Sequence, residues 1–256
     1  MSIQIKTDAL RHVEHTADLC IVGGGLSGMI AAISAAREGA KVILMQDRPV
    51  FGGNASSEIR MWVRGAKGLH NRETGIISEL EEENIYRNPS LVYSLWDSVL
   101  YEKAMAEESL TVLLNTSCLD CRMDGNKIVS IKGWQSNAET FHEVEATYFA
   151  DCSGDSILAP LTGANYMYGR EAKSDFNETI PPDVADKKTM GMSCLFQIRE
   201  TDHPVPYTPP AWAYKYESDE DLPYKDHRKK YNNNFWWIEV GGEWDCIHDS
   251  DRCREE

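Results

Sequence analysis

Asp18-Leu19-Cys20-Ile21-Val22-Gly23-Gly24-Gly25-Leu26-Ser27-Gly28 decides the fold. A short apolar run ends in glycines and reads as a buried strand feeding a tight turn. Met29 to Glu38 follows, rich in alanine and free of proline. It reads as a helix, with Gly39 where a C-terminal glycine cap belongs. Lys41-Val42-Ile43-Leu44-Met45 is a second buried strand. The unit is strand, glycine turn, helix, strand. The glycines serve different physical purposes. Gly23 permits the turn, Gly25 lets backbone approach a pyrophosphate, and Gly28 lets helix pack on strand. Leu26 and Ser27 open the helix, whose N-terminus offers free N–H groups and a positive dipole end to an anion. A glycine-rich structural turn is the plainer alternative.

The second strand of such a unit ends in an acidic residue that binds a ribose diol. This chain has Gln46 and then Asp47. Gln46 is the favoured ribose contact, as a neutral amide. Asp47 either supplies the charge or points to solvent.

A second glycine pair follows in Asp47-Arg48-Pro49-Val50-Phe51-Gly52-Gly53-Asn54-Ala55-Ser56-Ser57-Glu58-Ile59-Arg60. This segment resembles FAD-dependent oxidoreductases of the glutathione-reductase-like class, themselves distantly similar to fumarate reductase flavoprotein subunits. The resemblance implies that Gly52, Gly53, Asn54 and Ser56 run under the phosphates and ribityl chain of FAD. Tyr148 to Asp155 matches the same family. There a strand returns to the sheet and the turn Ser153-Gly154-Asp155 touches the cofactor. Asp155 either accepts hydrogen bonds at the flavin side or caps a helix over residues 156–161. By position the resemblance also assigns a backbone contact with adenine to Cys118. It covers nearly the whole chain, with its specific motifs in residues 18–65 and 146–165.

The expected fold is α/β: a Rossmann-like FAD-binding domain with a parallel sheet and an inserted antiparallel meander, plus the start of a substrate domain. The FAD-binding domain is expected over residues 1–164, with the βαβ unit at 18–46 and the meander at about 116–145, marked by turns at Asp124-Gly125 and Ser136-Asn137. Residues 165–256 are expected to be a partial substrate-binding or cap region, cut short at its C-terminus. Its prolines break up regular patterns, Lys215 to Tyr231 reads as a surface loop and Phe235 to Val240 as a strand. Earlier, Ser90 is the expected cap of a helix with an apolar stripe of Val92, Leu95, Trp96 and Val99, and Thr111 to Asn115 reads as a strand.

The chain has 256 residues and a formal net charge of −15. That balance disfavours nucleic acid and anionic membrane surfaces. Seven cysteines without a dense framework suit a reducing compartment, here the cytoplasm. Cys118-Leu119-Asp120-Cys121 has CxxC spacing but follows a strand, so two unrelated thiols are expected. The acidic run Glu79, Glu81, Glu82 and Glu83 reads as a solvated face. His12 and His15 lie in an N-terminal arm with no partner pattern.

The resulting expectation is an FAD-dependent oxidoreductase that passes a hydride between a small-molecule substrate and flavin N5, with FAD held non-covalently. Arg60 and Arg64 are the candidates to face the flavin or an anionic substrate, or are plain surface arginines, and with Arg48 they are the positive charges expected to hold the anionic cofactor. A non-catalytic FAD- or ADP-binding module and an NAD-dependent dehydrogenase are the competing readings.

Overall fold

The computed structural model describes residues 10–66, 68–191, 199, 201–221, 246 and 249–255. The chain divides into two compact units, residues 1–166 and 167–256.

In the first unit a six-stranded sheet has the order β3-β2-β1-β6-β5-β4. Its strands are β1 (Arg11–Val22), β2 (Val42–Met45), β3 (Leu110–Leu113), β4 (Thr116–Asp124), β5 (Lys127–Gln135) and β6 (Thr140–Asp151). β1 is central and runs parallel to both β2 and β6, while β3 extends the parallel set beyond β2. β4, β5 and β6 form an antiparallel meander. β6, the last strand of the meander, is also a strand of the parallel sheet.

The short core strands follow from alternation. Ile21, Val42 and Leu44 face one side, where they pack on α1 (Leu26–Arg37), α2 (Ile76–Arg87) and α3 (Tyr93–Met105). Cys20, Val22, Ile43 and Met45 face the other, against Cys118, Ile131, Val144 and Leu158, the last on α4 (Leu158–Thr162). Both faces being covered explains why these strands read as continuous apolar runs.

β1 is longer than the expected strand from Asp18. Residues 11–17 pair with β6 in register from Arg11↔Thr140 to Ala17↔Ala146. His12 and His15 are therefore strand residues and not part of a loose arm. His12 stacks on Phe141 with ring centroids 5.1 Å apart. His15 Nε2 lies 2.9 Å from His142 Nδ1, and His142 Nε2 lies 3.1 Å from Gln135 Oε1. Gln135 Nε2 donates to Leu114 O at 2.9 Å, so its oxygen is the end that meets His142. His142 Nε2 must then carry a proton, and its bare Nδ1 accepts from His15 Nε2–H. Burial holds both imidazoles below their usual range, reinforced by Lys41 near His15 and by His15 and Arg11 near His142.

Two helix details differ from expectation. α3 is preceded not by a Ser90 cap but by Asn88, whose Oδ1 accepts from Val92 N–H at 2.7 Å while its Nδ2 donates to Val92 O at 2.8 Å. Its buried stripe is Trp96, Val99, Leu100 and Ala104, with Val92 and Leu95 exposed. The acidic run is not merely solvated either. Glu79 takes Arg37 of α1 at 2.9 Å, and Glu83 takes Lys103 of α3 at 2.9 Å, so the run ties α2 to both neighbours. Hydrogen bonds from Arg37 and Lys103 hold the Glu79 and Glu83 carboxyls below the usual range.

In the second unit, Arg170 and Asp186 exchange two backbone hydrogen bonds of 2.9 and 3.0 Å and pair through their side chains. α5 (Lys173–Phe176) and α6 (Ser250–Glu255) are short. The expected strand over 235–240 and most of the expected loop over 215–231 lie outside the described residues.

Candidate FAD-binding site

The three sequence motifs meet at the C-terminal ends of β1, β2 and β6. Gly23 N–H donates to Met45 O at 2.8 Å, and Cys152 N–H donates to Val22 O at 2.7 Å. Gly52 N–H donates to Gly24 O at 2.9 Å, and Gly25 pairs with Gly52 as a parallel bridge. Two glycine segments far apart in sequence thus form one surface.

The glycines of the first turn differ in what surrounds them. Gly23 has φ +100°, and a Cβ there would lie 2.3 Å from Cys152 O. A Cβ at Gly28 would lie 1.9 Å from Gly23 O. Both positions are closed by the protein's own backbone. At Gly25 a Cβ would meet nothing within 4 Å. The open space sits over the N-terminus of α1, where the first intrahelical bond runs from Met29 N–H to Gly25 O at 2.9 Å. The N–H groups of Leu26, Ser27 and Gly28 precede that ladder, and the first turn holds no acidic side chain. That combination suits an anion close to backbone.

The second glycine segment turns at Gly52 (φ +102°) into a 3-10 turn over Gly53–Ala55. Ser56 is buried, and its Oγ donates to Gly53 O at 2.7 Å, so it holds the turn rather than facing outward. Asn54 is exposed. In the third motif the helix cap is supplied by Asp151 and Ser153, not by Asp155. Asp151 Oδ2 accepts from Leu158 N–H at 2.7 Å, and Ser153 Oγ accepts from Ile157 N–H at 3.0 Å. Asp155 is exposed beside Gly154 (φ +86°). Asp151, which sequence reasoning passed over, also accepts from Ser153 N–H at 3.0 Å and Ser153 Oγ–H at 2.7 Å.

Gln46, the expected ribose contact, has its side chain packed inward. It is 4 % exposed, and both ends of its amide are already bonded within the protein. Asp47 beside it is exposed and lies 3.5 Å from Arg48 Nε. Arg48 also reaches Glu58 at 3.6 Å, so its charge is partly matched. Cys118 is buried in β4 opposite Gly133, with its thiol pushed up to about 12 by desolvation. Cys121 Sγ–H donates to Leu161 O at 3.0 Å, and burial raises this thiol too. Neither thiol has the lowered pKa that redox chemistry needs. Arg60 is exposed in a left-handed conformation (φ 62°), its carbonyl held by Tyr93 Oη–H and its Nε donating to Ser57 O at 3.0 Å. Trp62 stacks on Tyr93 at 4.3 Å. Arg64 is exposed nearby in the chain.

The family model for FAD dependent oxidoreductases matches residues 18–244. The chain belongs to this family. FAD is the family's cofactor, and the open face at Gly25, the free helix N-terminus and the bridged Gly52 segment fit its pyrophosphate. Over 48 residues, 18 % of its length, the chain is 54 % identical to a fumarate reductase (cytochrome) of Shewanella frigidimarina. That stretch spans 8 % of the relative's length. A geranylgeranyl bacteriochlorophyll reductase-like protein of Thermoplasma acidophilum is similar with TM-score 0.44 and 20 % identity, over 60 % of this chain and 43 % of the other. E. coli quinol fumarate reductase is similar with TM-score 0.42 and 15 % identity, over 56 % and 33 %. The matched part of this chain therefore spans less than half the length of each of these proteins. Among the described residues no helix is long and apolar enough to cross a membrane.

Proposed function

We propose that this chain holds FAD non-covalently across the Gly23–Gly28, Gly52–Asn54 and Ser153–Asp155 segments and serves an oxidoreductase acting on a small-molecule substrate. The observation that carries the reading is Gly25: it is open in front, while Gly23 and Gly28 are sealed by backbone. When bound, FAD supplies the hydride chemistry at flavin N5. The chain's part is binding and orientation. The N–H groups of Leu26, Ser27 and Gly28 hold the pyrophosphate. Asn54 and Asp155, both exposed beside the glycines, offer polar contacts to the ribityl side. Asp47 is the exposed carboxylate at the ribose end. Arg60 and Arg64 offer positive charge to an anionic substrate or to the flavin ring. The backbone of Cys118 faces adenine. The cytoplasm is the compartment this reading assigns, on seven cysteines without a dense framework.

Titration of the apo chain with FAD, ADP and NAD tests this reading. The expected result is tight FAD uptake with flavin absorbance near ~450 nm, weak ADP binding and no NAD binding. A colourless chain that binds ADP but not FAD, or that prefers NAD, overturns it.

A further inference from the structure

Gln46 closes a ring of hydrogen bonds beneath the FAD surface. Its Oε1 accepts from Gly24 N–H at 2.6 Å, and its Nε2 donates to Val50 O at 3.2 Å. Gly24 O in turn accepts from Gly52 N–H at 2.9 Å, two residues beyond Val50. The backbone of Gln46 is spoken for as well: its N–H donates to Leu113 O at 2.9 Å, and its O accepts from Thr116 N–H at 2.8 Å. Packing tightens the same joint. A Cβ on Gly24 would sit 3.0 Å from Gln46 Cβ and 2.9 Å from Phe51 Cδ1. The charged residues of the same turn, Asp47 and Arg48, are exposed and face each other at 3.5 Å.

We propose that Gln46 is a positioning residue that clamps the two glycine segments into one preformed FAD cradle, and is not a ligand of the ribose. The proposal rests on the reading that FAD lies across Gly25 and Gly52. The chemistry of the joint selects an amide. One side chain must accept from an N–H and donate to a carbonyl at the same time. A carboxylate offers two acceptors, and its second oxygen would face Val50 O. A carboxyl group there regains a donor only by taking up a proton.

Gln46→Glu therefore separates a clamp from a ribose ligand. In the apo form of the 256-residue chain, this substitution is expected to lower the melting temperature relative to wild type at pH 8, and less so at pH 5. The buried carboxyl has a raised folded-state pKa, so its penalty grows as pH rises through that value. FAD affinity, read by quenching of flavin fluorescence, is expected to fall about tenfold at pH 8, as for one lost buried hydrogen bond, and to recover toward wild type at pH 5. Gln46→Met removes both bonds at similar length, and is expected to weaken FAD binding equally at both pH values. If Gln46→Glu unfolds at pH 8, its refolding at pH 5 is the same result read as a population. Equal or tighter FAD binding by Gln46→Glu at pH 8, with an unshifted apo melting temperature, would overturn the clamp and make Gln46 a ribose ligand. A wild-type chain that takes up no FAD refutes the proposed function instead, while the apo pH comparison still judges the clamp.

Discussion

Alanine at Gly23, Gly25 and Gly28 of the first turn should split folding from cofactor binding. Gly25 has φ −58° and ψ 174°, a backbone that alanine adopts without strain, and nothing stands where its Cβ would go. Losing a glycine N-cap costs up to about 1 kcal/mol. The lower entropy of the unfolded alanine chain returns about 0.4–1 kcal/mol. The apo melting temperature of Gly25→Ala should therefore move by no more than about 4 °C. At the proposed site the same methyl group stands in the open space assigned to the pyrophosphate. Overpacking of about 1–3 kcal/mol there weakens the FAD dissociation constant about 5–150-fold. Gly28→Ala behaves in the opposite way. Its Cβ would lie 1.9 Å from a backbone oxygen, so the helix must move. A loss of about 3 kcal/mol, or about 6–12 °C, is expected before any ligand is added. Gly23→Ala adds a left-handed φ to a 2.3 Å clash and should be at least as damaging. Differential scanning calorimetry of the apo chains and FAD titration by flavin fluorescence read the two quantities separately. Wild-type FAD affinity in Gly25→Ala, or a stability loss equal to that of Gly28→Ala, would refute the reasoning.

Asp151→Ala removes the acceptor for three hydrogen bonds of the third motif. Urea unfolding should show a loss of about 1–2 kcal/mol, as for a lost helix cap, with FAD affinity falling alongside. In acid, the imidazoles act before the carboxylates. His15 and His142 have folded pKa values below 6.5, so the folded state binds fewer protons than the unfolded one and stability falls as pH drops below about 6.5. Glu79 and Glu83, held low by Arg37 and Lys103, withdraw their contribution only below about pH 4.5. His142→Gln should flatten the melting curve between pH 7 and 5 and leave the lower limb unchanged; an unaltered slope would exclude the imidazole pair as its source.

The βαβ unit and the three glycine motifs were legible in sequence because their signals are local: an apolar run, a turn residue, a helix pattern. Residues 11–17 gave no such signal. Arg-His-Val-Glu-His-Thr-Ala mixes polar side chains along a half-exposed strand, and its partner lies in β6, far along the chain. The clamp role of Gln46 was equally hidden. Only the positions of Gly24 and Val50 show that both ends of the amide are occupied. Ser90 lost its capping role to Asn88 because an asparagine four residues ahead reaches both the N–H and the C=O of Val92. The acidic run gained partners from α1 and α3 that helical spacing within α2 alone could not supply.

The pairing of β1 with β6 also sets an order of assembly. Val22 stands beside Asp151, about 130 residues later in the chain, and Gly23 is walled in by Cys152. At about 5–20 residues per second, a ribosome needs about 6–25 s to make that stretch. Through this interval β1 has one flank without its neighbour, and the first glycine turn has no wall behind it. The proposed surface for the pyrophosphate is then a late product of translation, so nascent chains that end before about residue 150 should not retain FAD, however complete their first glycine motif.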